Sequence, residues 1–508
     1  MEIPKEVKEV LNKLETAGFE AYTVGGCVRD ILLDKIPKDW DVTTNATPEE
    51  IQEIFPDSIY ENKFGTVVVK TETDDPVLKL IEVTTYRLEA EYTDKRHPDK
   101  VSFTSKLEDD LARRDFTMNA IAMDKHGEVV DPFGGTEDIK NKVIKAVGES
   151  KQRFNEDALR MLRAMRFSNQ LGFDIEEKTL EAIKEDSNLM NAISKERIRD
   201  EFMKIVSHTP PAWLKAKEER GEEKANEVTD EEYKEGPAKV FESMHKTGLL
   251  STFLPELEEG YDVGQNKHHV YSVWEHNLRA LTYATKENYD IDVRIAALLH
   301  DVGKPQTKKG DGEDSTFYGH DVVGAKMALK IMDRLKFPRK IIEKVGLMVR
   351  HHLFQSDPDL ISDSAVRRVV RNVGEKNVWD LIDVRLCDRI GSGVPKAEPY
   401  RLRKYLTMVE KALREPISLK QLKTNGDEIM KKLDMKPGKR IGLILNTLMN
   451  DVLEDPEHNT KEYLLEKSTE LNKLSDEDLE KTAKEAIKKM EQIEYKKEEE
   501  TKEKYWVN

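Results

Sequence analysis

The chain has 508 residues, a formal net charge of −16, 38% hydrophobic and 36% charged residues. That gives apolar material for several cores and excludes a single small binding module, because domains run to roughly 100–200 residues. No run approaches the roughly 18 uninterrupted apolar residues of a bilayer span, and the opening MEIPKEVKEVLNKLETAGFE reads as an amphipathic helix without a signal-peptide core, so a cytoplasmic protein with no membrane partner is expected.

In chain order, AYTVGG, TVVVK, LKLIEVTTY and AIAMD read as strands within residues 19–145, with VRDILL and TPEEIQEIF as helices between them. The head is therefore expected to be an α+β domain. From about residue 150, ALRMLRAMRFSNQLG, KTLEAIKEDS and RIRDEFMKIV carry apolar residues at helical spacing, and the remainder is expected to be mostly helix. Residues 209–236 hold five basic and nine acidic residues behind Pro210-Pro211 and read as an exposed insertion or linker marking a boundary. The Lys/Glu-dense end after Asn459 reads as a solvated helix, partly disordered at its end. Only Cys27 and Cys387 occur, so reduced, buried thiols are expected in place of disulfides or a cysteine zinc site. The acidic total argues against non-specific coating of nucleic acid, while leaving room for a local basic groove.

Three signals in the head bear on chemistry. Gly25-Gly26-Cys27-Val28-Arg29-Asp30 joins a strand to a helix, where backbone N–H groups at the glycines and the Arg29 charge could approach phosphate; as a bare pattern it is more often just a tight turn. Asp39-Trp40-Asp41 places two carboxylates at i and i+2 on a short strand, on one face, able to share a pair of Mg²⁺ ions; an isolated pair of this kind is also a common solvated turn. Glu82, in LKLIEVTTYR, could add a third carboxylate or simply face solvent.

This order of glycine turn and DWD resembles the polymerase-beta nucleotidyltransferase superfamily. LEDDLARRDFTMNAIAMD, DPFGGTEDI, RFNEDALRMLRAMRFSNQLGF and ISKERIRDEF, following in order over about residues 19–208, narrow the resemblance to the bacterial CCA-adding enzymes, the class II tRNA nucleotidyltransferases. The resemblance implies a polymerase-beta-like mixed sheet and addition of CCA to the 3′ end of tRNA from CTP and ATP with Mg²⁺. Asp39 and Asp41, with Glu82, would be the metal-binding catalytic carboxylates. Asp157 and Arg160, three apart on a helix surface, would read the incoming base in place of a nucleic-acid template, since a carboxylate and a guanidinium together offer fixed acceptors and donors. Arg114, Arg163 and Arg166 would hold the triphosphate or primer end, with Arg113 as an alternative contact and Asp115 orienting an arginine. The charged loop EAEYTDKRHPDKVSFT, residues 89–104, implies addition of A as well as C, although an enzyme adding only A would keep it. ENKFGTVVVK follows the CCA-adding pattern and not that of poly(A) polymerases.

Seven of the twelve histidines fall within residues 268–352. The order His276, His300-Asp301, His320, His351-His352, Asp388 resembles the HD superfamily of metal-dependent phosphohydrolases. The resemblance implies a first site of His276, His300, Asp301 and Asp388 for Mn²⁺, Fe²⁺, Ni²⁺ or Mg²⁺, extended to two metals by His320 with His351 or His352. His268 and His269 match no ligand position, and Lys304 could neutralise a substrate phosphate or lie on the surface. Hydrolysis of phosphate or cyclic phosphate at RNA ends or nucleotides is the implied chemistry. SLKQLKTNGDEIMKKLDMKPGKRIGLILNTLMNDVLED resembles the family's tRNA-embracing tail, with the Pro437-Gly438-Lys439-Arg440 turn either offering two cations to phosphate or forming an ordinary turn.

The expected division is 1–146 nucleotidyltransferase head, 147–208 helical neck, 209–260 charged insertion and connecting helices, 261–410 HD domain and 411–508 helical tail. The competing functions are A-only addition or poly(A) synthesis and, from another class, an HD RNA-end phosphohydrolase whose head only binds tRNA. A second-messenger enzyme fits EDALR and RRDFT poorly, and the oligomeric state is open.

Overall fold

The computed structural model describes residues 2–60, 65–90, 100–221, 223–265, 270–394, 396–414 and 419–507. Most of the charged loop (91–99), the start of ENKFGTVVVK (61–64) and His268 and His269 lie outside the described residues. Residues 1–353 with 379–397 form one compact unit, and 354–378 with 398–508 a second.

In the first unit the head is built on β1 (Ala21–Val24), β2 (Asp41–Thr44), β3 (Ile59–Tyr60), β4 (Thr66–Lys70), β5 (Leu80–Thr85), a separate hairpin of β6 (Arg87–Ala90) and β7 (Lys100–Phe103), then β8 (Ala122–Met123) and β9 (Val129–Val130). The main sheet runs β3-β4-β5-β2-β1-β8-β9 and is mixed, with β2 and β5 parallel and the other neighbours antiparallel. On β5, Ile81 and Val83 are buried while Leu80 and Glu82 face out, which is the period-2 alternation the sequence carries. Helix Pro48–Ile54 between β2 and β3 starts at a Thr47/Glu50 capping box with Pro48 in its first turn. Val24, Tyr86, Leu111, Ala120, Ala122 and Val147 close one side of the sheet as a continuous core.

The neck differs from its expected form at one place. Helix Ser150–Glu156 stops at Asp157, whose φ of −143° and ψ of 103° are extended, and a second helix begins at Leu159. Asp157 and Arg160 are therefore not neighbours on one helix surface; Asp157 sits in the break.

Residues 209–236 are not a solvated linker, and no unit boundary falls there. They form helices Pro211–Arg220 and Asp230–Glu235, and their charges are spent on the first HD helix, Val273–Lys286, and its C-cap Glu287. Arg220 pairs with Glu287 at 2.7 Å, Asp230 with Arg279 at 2.6 Å and Glu232 with Lys286 at 2.6 Å. Partners 49 to 67 residues away turn a polar sequence into a clamp that local composition does not reveal. The expected HD segment 261–410 is likewise divided, because Phe354–Val378 and residues from Glu398 pack in the second unit. Both cysteines are buried and free.

In the second unit, helix Asp363–Val373 packs its Val366, Val370 and Val373 face on helix Tyr400–Leu413. The C-terminal helix Asp476–Lys504 is not merely solvated: Leu479, Ala483 and Ala486 are buried, and it lies along helix Lys439–Glu454. No described helix is long and apolar enough to cross a membrane.

Candidate functional site

Two clusters of chemistry stand in the first unit. In the head, Asp41 opens β2 and is register-paired with Glu82 on parallel β5, so the two side chains emerge side by side on one face. Asp39 lies in the bend just before β2, not on the strand itself. Burial pushes the Asp41 carboxyl up to about 6, and the nearby Asp39 and Glu82 carboxylates add to the rise while Arg114 opposes it. The three carboxylates are near enough for Asp39 and Glu82 to raise Asp41, and oxygen ligands suit a hard divalent cation such as Mg²⁺, but they do not gather within 4.8 Å of one another as the ligands of the second cluster do.

The glycine pair serves this cluster by leaving space. Gly25 has φ +83°, and a Cβ there would lie 2.9 Å from Arg114 Nη1; a Cβ on Gly26 would lie 4.0 Å from Asp39 Oδ1. Behind Arg114, buried Asp110 accepts from Arg113 Nε at 2.9 Å, from Arg114 Nη2 at 3.4 Å and from the Thr43 hydroxyl at 3.2 Å. Burial pushes Asp110 upward, but the Arg113 and Arg114 guanidiniums outweigh it and hold the carboxyl below its ordinary range.

The remaining arginines are tied into a relay between head and neck. Arg29 donates to Asp30 at 2.7 Å and to Asn119 Oδ1 at 2.8 Å; Asn119 donates to Asp115 at 3.1 Å; Asp115 Oδ2 accepts from Arg163 Nε and Nη2 at 2.8 and 2.6 Å. Arg29, Arg163 and Arg166 lie over the Phe167 ring at 5.3, 5.5 and 4.2 Å, and Arg166 also pairs with buried Glu201 at 2.7 Å. Arg160 is buried and engaged with Glu156 at 2.7 Å and the Arg113 carbonyl at 2.9 Å. Asp157 takes a bidentate pair from Arg197, at 3.1 and 2.7 Å. Arg197 went unassigned from sequence although it lies in ISKERIRDEF; nothing in that local pattern points to a carboxylate 40 residues away.

The second cluster gathers at helix ends. His276 comes from Val273–Lys286, His300-Asp301 closes Ile291–Leu299, His320 opens His320–Arg334, His352 caps Arg339–His351 and Asp388 lies in Val378–Gly391. His276, His300, Asp301 and Asp388 form one potential metal-binding group, and Asp301, His320 and His352 another, all buried. His276 Nε2 is 2.8 Å from His300 Nε2 and 3.1 Å from Asp301 Oδ2, while His320 and His352 Nε2 approach Asp301 Oδ1 at 3.2 and 3.6 Å. Asp301 thus stands between the groups. Of the adjacent pair, His352 joins the cluster and His351, partly exposed, does not. One residue along a helix turns a side chain by about 100°, so only one of two neighbours can face the centre.

The nitrogens are oriented for ligation. Nδ1 of His300, His320 and His352 each faces a backbone carbonyl three residues earlier, of Ala297, Phe317 and Val349, at 2.7, 2.6 and 2.7 Å. Donation there leaves Nε2 as the lone-pair side facing the cluster, and the buried Nε2 atoms of His320 and His352 have no hydrogen-bond partner. Burial pushes His300 down, but Asp301 and Asp388 outweigh it and raise it to about 10, so the cavity favours a cation. Residues, burial and orphaned donors all fit a transition metal. Lys304 is not on the surface: it is buried, 2.5 Å from Asp301 Oδ2 and 2.5 Å from Gln265 Oε1. The cluster opens into a cavity of about 460 Å³ lined also by Tyr318, Arg385 and Arg389.

Known families match the segments in which both clusters lie. Residues 21–145 match the poly A polymerase head domain family, 172–215 the probable RNA and SrmB-binding site of polymerase A, and 273–391 the HD domain family. The chain thus carries one segment similar to the poly A polymerase head domain and another similar to the HD domain. Over about two fifths of its length it is similar to bacterial CCA-adding enzymes: that of Lactobacillus helveticus is 54% identical over 197 residues, 39% of this chain and 48% of that one. The Enterococcus faecalis CCA-adding enzyme is 50% identical over 208 residues, 40% of this chain and 50% of that one. The chain thus spans about half the length of the curated relatives it matches. The crystal structure of the Bacillus stearothermophilus CCA-adding enzyme in complex with CTP has a TM-score of 0.57 and 27% identity, covering 92% of this chain and 97% of that one.

Proposed function

We propose that the head adds C, C and A to the 3′ end of tRNA from CTP and ATP without a nucleic-acid template, and that the HD cluster is a second, hydrolytic centre. The observation that carries the first reading is the Asp39, Asp41 and Glu82 group beside Arg114, in a chain 50–54% identical to CCA-adding enzymes over about two fifths of its length. Asp39, Asp41 and Glu82 would hold Mg²⁺, which supplies neutralisation of the triphosphate and activation of the attacking hydroxyl. Arg114, poised over the Gly25 gap, would take phosphate oxygens, and Arg163 and Arg166, pre-set on Phe167, would flank them. Asp157 and Arg160 would exchange Arg197 and Glu156 for the edge of the incoming base, trading ion pairs for charge-assisted hydrogen bonds; Glu156 would keep Arg153, and Arg197 would be released from its carboxylate.

The second reading rests on the orphaned Nε2 atoms converging on Asp301. His276, His300, Asp301 and Asp388, with His320 and His352, would hold one or two divalent ions, which supply a hydroxide nucleophile. Arg385, Arg389 and Lys304 would bind a phosphate or cyclic phosphate in the cavity beside them.

The test extends tRNA transcripts ending before CCA, after C and after CC with Mg²⁺ and labelled CTP or ATP, beside Asp39→Ala. Completion of all three, abolished in the variant, is expected. Extension of the CC-ended transcript alone means an A-adding specialist; addition of long A tracts means a poly(A) polymerase. No extension with retained hydrolysis of cyclic-phosphate RNA ends makes the HD centre the chief activity.

A further inference from the structure

Both cations of the tail turn that sequence offers as a phosphate contact already have partners in the chain. Lys439 is ion-paired with Glu480, and Arg440 with Asp476, besides donating to Asn472 Oδ1 at 2.9 Å and to the Asn472 and Leu474 carbonyls at 2.8 and 2.7 Å. Both cations are spent on holding the C-terminal helix. The same holds for nearly every arginine in the chain: among the described residues only Arg367, Arg368, Arg371 and Arg403 have no hydrogen bond or ion pair.

Three of those four are exposed on the single helix Asp363–Val373 in the second unit. Its valine face is buried, which fixes the opposite face outward, and Arg367 and Arg371 stand one turn apart, about 6 Å along the axis. With Ser364, Gly374, Glu375 and Ala412, the three arginines line a groove of about 660 Å³. Its charged lining is three guanidiniums against one carboxylate, on a chain whose total charge is −16.

We propose that this groove is a phosphate-backbone contact for RNA, on a helix that falls in sequence between His352 and Asp388 of the second cluster. Guanidiniums bind phosphate through a planar fork of donors, and a free fork exposed to water gives up no internal partner on binding. Arginines left unpaired at i, i+1 and i+4 match successive phosphates along one strand, whereas pairing with their own chain would have been available to them as it was to the other arginines. The proposal deepens the tRNA reading above and rests on it.

The experiment measures affinity of the full chain for a tRNA transcript across a salt series, comparing the wild type with the triple variant R367Q/R368Q/R371Q and with K439Q. Each phosphate contact contributes about 0.9 to the slope of log K against log salt, so losing three lowers the slope by about 2–3 and weakens binding about 100-fold near 0.15 M salt. K439Q is expected to bind as the wild type does. A triple variant with unchanged affinity and slope, and unchanged circular dichroism, overturns the groove while leaving the tRNA reading intact. Polyglutamate binding lost in the triple variant with tRNA binding unaltered also overturns it, in favour of an acidic protein segment. A wild type that neither binds nor extends tRNA overturns the reading on which the groove rests.

Discussion

Asp115 offers the sharpest test of how the head is joined to the neck. It is 8% exposed and accepts hydrogen bonds from the Phe116 N–H at 2.8 Å, from Asn119 Nδ2 at 3.1 Å and from two nitrogens of Arg163 at 2.8 and 2.6 Å. Burial alone would push its carboxyl upward, but Arg163 and these donors prevail and hold it at about 2, against an ordinary 3.8. A depression of nearly two units corresponds to about 2 kcal/mol of stabilisation of the folded state. Asp115→Asn keeps the volume, removes the charge and leaves Arg163 without its counter-ion, so a loss of about 2–3 kcal/mol is expected at pH 7. Because the folded value is depressed, that contribution is present in full above the unfolded value near 3.8 and is lost as pH falls through about 2. The gap between wild type and variant should therefore stay constant from pH 7 to about pH 5 and narrow measurably between pH 4 and pH 3. Hydrogen exchange of amides in 107–123 and 159–171 reads the local opening free energy on both sides of the pair. A double-mutant cycle with Arg163→Met should give a coupling of at least about 1 kcal/mol. A gap below about 0.5 kcal/mol at pH 7, or one that widens on acidification, refutes the reasoning.

Two further outcomes follow from geometry. Gly25→Ala places a methyl 2.9 Å from Arg114 Nη1 at a φ of +83°, so a stability loss of about 1–3 kcal/mol and weaker Mg²⁺–CTP binding are expected from thermal melts and titration; unchanged CTP affinity would sink the assignment of Arg114. After dialysis against Mn²⁺, metal analysis should find His320→Ala and His352→Ala each depleted, Asp301→Asn nearly empty and His351→Ala as loaded as the wild type, a depleted His351→Ala contradicting the choice made by the fold.

The strands of the head were legible because half-buried strands alternate, as in Leu80–Thr85, and the helices because apolar spacing and the Thr47-Pro48 start report local geometry. The acidic pair Asp39/Asp41 and the order of histidines and aspartates were likewise readable, since several residue types recur at set separations. What the sequence could not decide was partnership. Asp157 lies three residues from Arg160, yet a helix break delivers it to Arg197; Lys439 and Arg440 could meet phosphate or form an ordinary turn, and pair with the C-terminal helix; Lys304 could bind phosphate or lie on the surface, and is buried against Asp301. Residues 209–236 read as a solvated linker until Glu287, Arg279 and Lys286 supply their counter-charges. Chain spacing fixes which side chains share a face within a turn or a strand. Which charge meets which across tens of residues is settled by packing, because each buried or half-buried ion must find whatever partner the assembled helices bring within about 3 Å.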